Sequence, residues 1–342
     1  MTKMRAIGYR KASPELNHLE AFDIPRPKPT GRDLLVEVRA VSVNPVDYKV
    51  ASGGGPGGAA SEASDFKVVG YDAAGVVAEI GPEARLFKPG DEVFYAGSVG
   101  RQGADMEFHL VDERIVGRKP RKLDFAAAAA LPLTSITAWE AMFDRLDVAK
   151  PVPGAARAIL ILGGAGGVGS IAIQLARQLT DLTVVATASR PETVQWAKDM
   201  GAHHVVDHKK PLTPQIAGLG ISSPAFIFAT SPIGGVIADL ADLIAPQGRI
   251  ALINGEAADL FVFRPKSVSI HHELMFTRPL FQTADMEAQH GLLNEVAKLV
   301  DSGRVRSTMR ENYGRIDAAN LMRAMAHLKS GSAIGKIVLA GF

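Results

Sequence analysis

The stretch Leu162–Ser170 reads LGGAGGVGS, and five of the seven residues from Gly163 to Gly169 are glycine. Glycine loses more backbone freedom on folding than any other residue, so such a run calls for positive φ or the close approach of a backbone or ligand. Gly164, Gly166 and Gly169 have the G-x-G-x-x-G spacing. In a dinucleotide site the first glycine allows a tight turn, the second lets a diphosphate near the backbone, and the third lets helix and strand pack closely. The diphosphate then meets free N–H donors at the positive end of a helix. Gly164, Gly166, Gly167, Val168 and Gly169 are therefore the candidate cradle. About 20 residues further on, an acidic side chain would hold the ribose 2′-hydroxyl of NAD. The sequence has Ser189 and Arg190 there. A hydroxyl and a planar guanidinium suit a 2′-phosphate, so the expected cofactor is NADPH (NADP). The competing reading makes Ser189 a helix cap and leaves Arg190 in solvent.

The elements that must hold this turn are legible in the pattern around it. ARAILIL (156–162) is a continuous apolar run, the mark of a strand buried on both faces of a parallel sheet. After the turn, Val168, Ile171, Ala172, Leu175, Ala176 and Leu179 make one helical stripe. LTVVATAS, HHVVDH, AFIFAT and GRIALIN then alternate with helical runs, which predicts a doubly wound parallel α/β sheet. Asn254, just past RIALI, and His208, past HVVD, fall beyond strand ends, where open α/β sheets bind ligands. Residues 1 to 125 read mostly as strands, among them DLLVEVRAVSV, DAAGVVAEIG and DEVFYAG, with a Pro89-Gly90 turn before the last. Ser52–Ser64 is a Gly/Ser-rich run expected to be a mobile loop. Two helices ending at Gly303 and Gly331 and a final strand, GKIVLAGF, close the chain.

The totals are those of a two-domain globular protein: 342 residues, 47% hydrophobic, 22% charged, net charge +2. No basic tract suggests nucleic acid as a partner. The absence of cysteine excludes disulfides, thiolate metal ligands and a cysteine nucleophile, and fits a cytoplasmic location. The N-terminal run MTKMRAIGYRK lacks a signal-peptide apolar core, and no apolar stretch is long enough to span a membrane. There is no G-x-S-x-G for a serine hydrolase and no complete P-loop.

NPVDYK, LFKPGDEVF, LPLTSITAWE, GGAGGVGSIAIQLARQL, TASRPE and GKIVL together resemble the medium-chain dehydrogenase/reductase superfamily, most closely its quinone-oxidoreductase-like branch, whose members are often called zinc-type alcohol dehydrogenase-like. The resemblance covers nearly the whole chain. It implies a GroES-like, mainly β catalytic domain (1–128 and 279–342) and an inserted Rossmann domain (129–278). It also implies a homodimer joined by strands near KSVSIHHELMF. Relatives place the Thr137 position near the nicotinamide and close Phe276-Thr277 over it; the other reading of Thr137 is a capping box with Glu140. Lys336 is read as solvated, or as near the 2′-phosphate.

Zinc-dependent relatives carry G-H-E-x-x-G, where this sequence has GYDAAG, and a cysteine near the position of Asn44. With those ligands missing, no metal site is expected. Hydrogen-bond donors must then stabilise charge on the acceptor oxygen, which favours quinones and α,β-unsaturated carbonyls as substrates. The donor candidates are Asn44, Tyr48 and Lys49. An extended SVNPVDYKV would point Tyr48 and Lys49 to opposite sides; Asn44 could instead cap the turn at Pro45. The expected activity is zinc-independent, NADPH-dependent reduction. The alternatives are an NADPH-binding protein without catalysis and a dehydrogenase of simple alcohols.

Overall fold

A computed structural model describes residues 2–54, 65–255 and 257–342. From residue 55 onward the Gly/Ser-rich run lies outside the described residues. The chain separates into two compact units, one made of Met1–Leu133 and Phe276–Phe342, the other of Thr134–Met275.

The second unit is built on six parallel strands. Across the sheet they run His204–Val206, Thr183–Thr187, Ala156–Leu162, Pro224–Ala229, Arg249–Leu252 and Ser269–His272. In chain order that is 3-2-1-4-5-6, the Rossmann arrangement, which reverses direction beside the first strand. Every residue of Pro224–Ala229 is buried, as are the last five of Ala156–Leu162. That burial is why both read as unbroken apolar runs. The helix Gly167–Leu179 buries Ile171, Ala172, Leu175 and Ala176. The ends of its stripe are looser, with Val168 half-buried and Leu179 exposed. The helix Pro132–Trp139 continues as a π-helical turn, Glu140–Arg145. Thr137 is inside this helix, so it and Glu140 do not form a capping box.

The first unit holds a seven-stranded sheet and a three-stranded one. The long strand Asp33–Ser42 is its hub, pairing antiparallel with Ala73–Ile80, Phe108–Asp112 and Lys336–Ala340. Consequently the end of the first of these strands and the starts of Ala73–Ile80 and Lys336–Ala340 meet at one corner. Val41 pairs with Ala73, and Ser42 pairs with Val338. Directly after the hub strand the chain turns into a short helix, Pro45–Ala51, so the stretch weighed above as extended is helical. Proline at the first helical position presets the backbone. The Asp47 carboxylate accepts the Asn44 N–H at 2.6 Å. Tyr48 and Lys49 thus point about 100° apart rather than oppositely.

Candidate functional site

The glycine turn is tied to the strands on either side. The Gly163 N–H donates to Thr187 Oγ1 (3.0 Å), and the Gly164 N–H to the Thr187 carbonyl (3.0 Å). On the other side Thr230 Oγ1 donates to the Leu162 carbonyl at 2.6 Å. The residue with positive φ is Gly163 (+74°), one position before the motif. Gly164 serves packing, since a Cβ there would lie 2.7 Å from Ala186 Cβ. At Gly169 a Cβ would lie 2.3 Å from the Gly163 carbonyl oxygen, which makes it the close-packing glycine. Gly166 differs from both. It is exposed, and a Cβ there would meet only the Gly163 oxygen, at 3.4 Å. Gly166 caps the helix, whose first backbone bond runs from Ser170 N–H to the Gly166 carbonyl. The N–H groups of a helix's first turn have no intrahelical acceptor, and here they follow an exposed glycine, the arrangement a diphosphate would use.

Ser189 and Arg190 follow the strand Thr183–Thr187, and both are half-buried. Arg190, not Ser189, occupies the N-cap position of the helix Pro191–Asp199. Its N–H donates to Thr193 Oγ1 (3.1 Å), and its carbonyl accepts from that hydroxyl (2.8 Å). Its Nε lies 3.1 Å from Glu192 Oε1. Thr187 is in register with Val206, so exposed His208 leaves the sheet beside Ser189 and Arg190.

At the carboxyl ends of the central strands a small cavity is lined by Ala229, Ser231, Ile233, Leu252, Asn254 and His272. Asn254 thus borders a concave site at a strand end. Thr137 is buried one turn before the π-helical segment. That segment carries Glu140, fully buried against Glu273. Burial and the neighbouring Glu140 raise the Glu273 pKa to about 8, although Arg145 Nε lies 3.0 Å from its Oε2. Glu273 therefore keeps its proton at neutral pH.

In the first unit the corner described above closes a buried polar network. Lys336 is 4% exposed, neither solvated nor at a surface phosphate site. Its ammonium donates to the Val43 carbonyl (2.7 Å) and Asn44 Oδ1 (2.5 Å) and lies 3.1 Å from Asp72 Oδ2. Asn44 Nδ2 donates to Asp72 Oδ2 (2.8 Å) and to the Tyr71 carbonyl (3.2 Å). The second Asp72 oxygen accepts the Leu133 N–H at 2.8 Å. Both ends of the Asn44 amide are engaged inside the protein, and Asn44 is also the N-cap residue of the helix Pro45–Ala51, in a capping box with Asp47. Burial raises the Asp72 pKa against the opposing pull of Lys336. Burial likewise pushes Asp47 up to about 7, and Asp105 well above the carboxylate range with help from the Asp47 charge. Tyr48 is half-buried, with its phenol pKa raised by burial, and Lys49 is exposed. Phe276 belongs to this unit, buried edge-on against Tyr71 with ring centroids 5.6 Å apart.

Residues 30–120 match the family described as alcohol dehydrogenase GroES-like domain, and residues 167–294 match zinc-binding dehydrogenase. A zinc-type alcohol dehydrogenase-like protein of Staphylococcus aureus (strain MSSA476) is 39% identical, over 98% of this chain and 99% of its own. A solved structure from Rhizobium etli CFN 42, described as a zinc-dependent alcohol dehydrogenase protein, is 60% identical with a TM-score of 0.96. It covers 100% of this chain and 99% of that one. The chain belongs to the medium-chain dehydrogenase/reductase family. A quinone oxidoreductase of Coxiella burnetii, 26% identical, superposes over the full length of both chains with a TM-score of 0.82.

Zinc is the metal that the matched family description, zinc-binding dehydrogenase, implies, and the donor set here does not fit it. The corner offers an amide, a phenol and a carboxylate in place of soft or imidazole donors. Two of these, Asn44 and Asp72, already hold the Lys336 ammonium. Among the described residues no cluster of three or more His, Cys, Asp or Glu side chains could hold a metal ion. None of their helices is long and apolar enough to cross a membrane. Reading the sequence missed Thr187 and Thr230, which clamp the turn, and missed that Asp72 and Lys336 hold Asn44. A threonine closing each flanking strand is visible in ATAS and FAT. The Asp72–Lys336 pair joins residues far apart in the chain and leaves no local signal.

Proposed function

We propose that this protein is an NADPH-dependent reductase that transfers hydride to quinones or α,β-unsaturated carbonyls without a zinc ion. The observation that carries the reading is the Lys336 ammonium seated between Asn44 and Asp72, where a metal would need those donors. When bound, the nicotinamide cofactor supplies the hydride. The first-turn N–H groups after Gly166 hold its diphosphate, and Ser189 and Arg190 receive the 2′-phosphate. Thr137, Asn254, His208 and Phe276 are the further cofactor positions. Lys336 and Asp72 position Asn44. Tyr48 or Lys49 donates a hydrogen bond to the acceptor oxygen. The raised pKa of Tyr48 keeps its phenol a donor at neutral pH. Such donors stabilise an oxyanion less than a metal does, so an acceptor that delocalises charge is favoured. The similarity to the Coxiella quinone oxidoreductase supports that substrate class. A second copy of the chain would add at Ser269–His272, the edge strand of the six-stranded sheet; sedimentation tests this dimer.

The test is NADPH oxidation with a quinone and an enone before and after dialysis against a strong chelator, with metal content measured. Unchanged turnover after dialysis is the expected result. Activity lost on chelation and restored by zinc overturns the metal-free mechanism. Tight NADPH binding without turnover, or turnover confined to simple alcohols, overturns the substrate class.

A further inference from the structure

The ion pair between Arg190 and Glu192 bears on which cofactor this chain prefers. Thr193 fixes the Arg190 backbone through two hydrogen bonds, which leaves the guanidinium as the part that answers to charge. Its Nε lies on Glu192 at 3.1 Å, with 36% of the arginine side chain and 54% of the glutamate exposed. The expected phosphate ligand is thus partly neutralised by its own neighbour, within the first turn of the helix Pro191–Asp199.

Resting on the NADPH reading above, we propose that Glu192 is a specificity-determining residue that limits the preference for NADPH and keeps NADH acceptable. A 2′-phosphate carries close to two negative charges at neutral pH, and it must share Arg190 with the Glu192 carboxylate. A 2′-hydroxyl has the opposite need. It donates to a carboxylate, the role an acidic residue plays in NAD sites, and Glu192 supplies one without releasing Arg190. One ion pair therefore serves both cofactors. The guanidinium turns to the phosphate of NADPH, and the carboxylate takes the hydroxyl of NADH.

The test is calorimetric titration of wild type, E192Q and R190A with NADP+, NAD+, adenosine 2′,5′-bisphosphate and 5′-AMP. These pairs differ only at the 2′ position, so a general disturbance of the helix leaves each ratio unchanged. In E192Q the NADP+/NAD+ affinity ratio should rise about three- to tenfold, the scale of one exposed like-charge contact. The ratio for adenosine 2′,5′-bisphosphate over 5′-AMP should follow it. R190A should lower the same ratios at least tenfold. R190A ratios that move while those of E192Q stay within twofold of wild type overturn this inference alone. Equal losses for both nucleotides in R190A overturn the NADPH reading beneath it.

Discussion

Replacing Gly166 by alanine should weaken nucleotide binding while leaving the fold intact. Gly166 has φ −75° and ψ 173°, which alanine adopts without strain. The added methyl would meet one atom, the Gly163 oxygen, at 3.4 Å, an ordinary contact. Alanine is a poorer N-cap than glycine by up to about 1 kcal/mol. Its lower unfolded-state entropy returns about 0.4–1 kcal/mol. Stability in urea should therefore stay within about 1 kcal/mol of wild type. Binding is different, because on the proposed reading the diphosphate lies against the backbone at this position, where any side chain takes up room. Losing one hydrogen bond to a charged phosphate oxygen costs about 1.5–3 kcal/mol. That is roughly a 10- to 100-fold weaker Kd. Fluorescence titration with NADPH reads this directly. G166A that binds NADPH as wild type does would show that the diphosphate lies elsewhere.

G169A should do the reverse and destabilise the protein by about 1–3 kcal/mol, because its Cβ would lie 2.3 Å from a backbone oxygen that cannot move freely; a stability unchanged in urea would contradict this. K336M should cost about 3–5 kcal/mol by leaving Asp72 buried without its partner. The double variant K336M/D72N should lose clearly less than the sum of its singles, and strict additivity in the double-mutant cycle would remove the pair from the account. Glu273 has a folded pKa of about 8, above its ordinary 4.5, so the folded state keeps a proton that the unfolded chain releases. Its contribution is fully present below pH 4.5, is lost as pH rises to about 8, and is level above that. The stability difference between E273Q and wild type should therefore grow across that window, and a pH-independent difference would refute it. Y48F/K49M should lower kcat at least about 100-fold, with one of the single variants accounting for the loss; a double variant of normal kcat would show that neither is the donor.

The alternation of apolar runs after residue 155 made the parallel sheet legible, because strands covered on both faces admit few polar residues. The glycine turn was legible for a similar reason, since backbone crowding at Gly164 and Gly169 leaves no room for another residue. The division of labour within the turn was not, because the positive φ at Gly163 depends on how Thr187 and Thr230 fasten it. The helix Pro45–Ala51 was hidden by β-branched Val46 and Val50 in a stretch that continues a strand. Pro45 and Asp47, three residues beyond Asn44, were the available signals for its start. Lys336 shows the limit most clearly. A lysine ending a polar turn reads as solvated, and only the pairing of Lys336–Ala340 with Asp33–Ser42 brings it to Asn44 and Asp72.

The most direct measurement is a crystal structure of the protein grown with NADPH and without added metal. The account predicts the diphosphate against the backbone N–H groups that follow Gly166, the 2′-phosphate on Arg190, and the Lys336 ammonium still between Asn44 and Asp72. A glycine turn without diphosphate, or a metal ion held by Asn44 or Asp72, would contradict it.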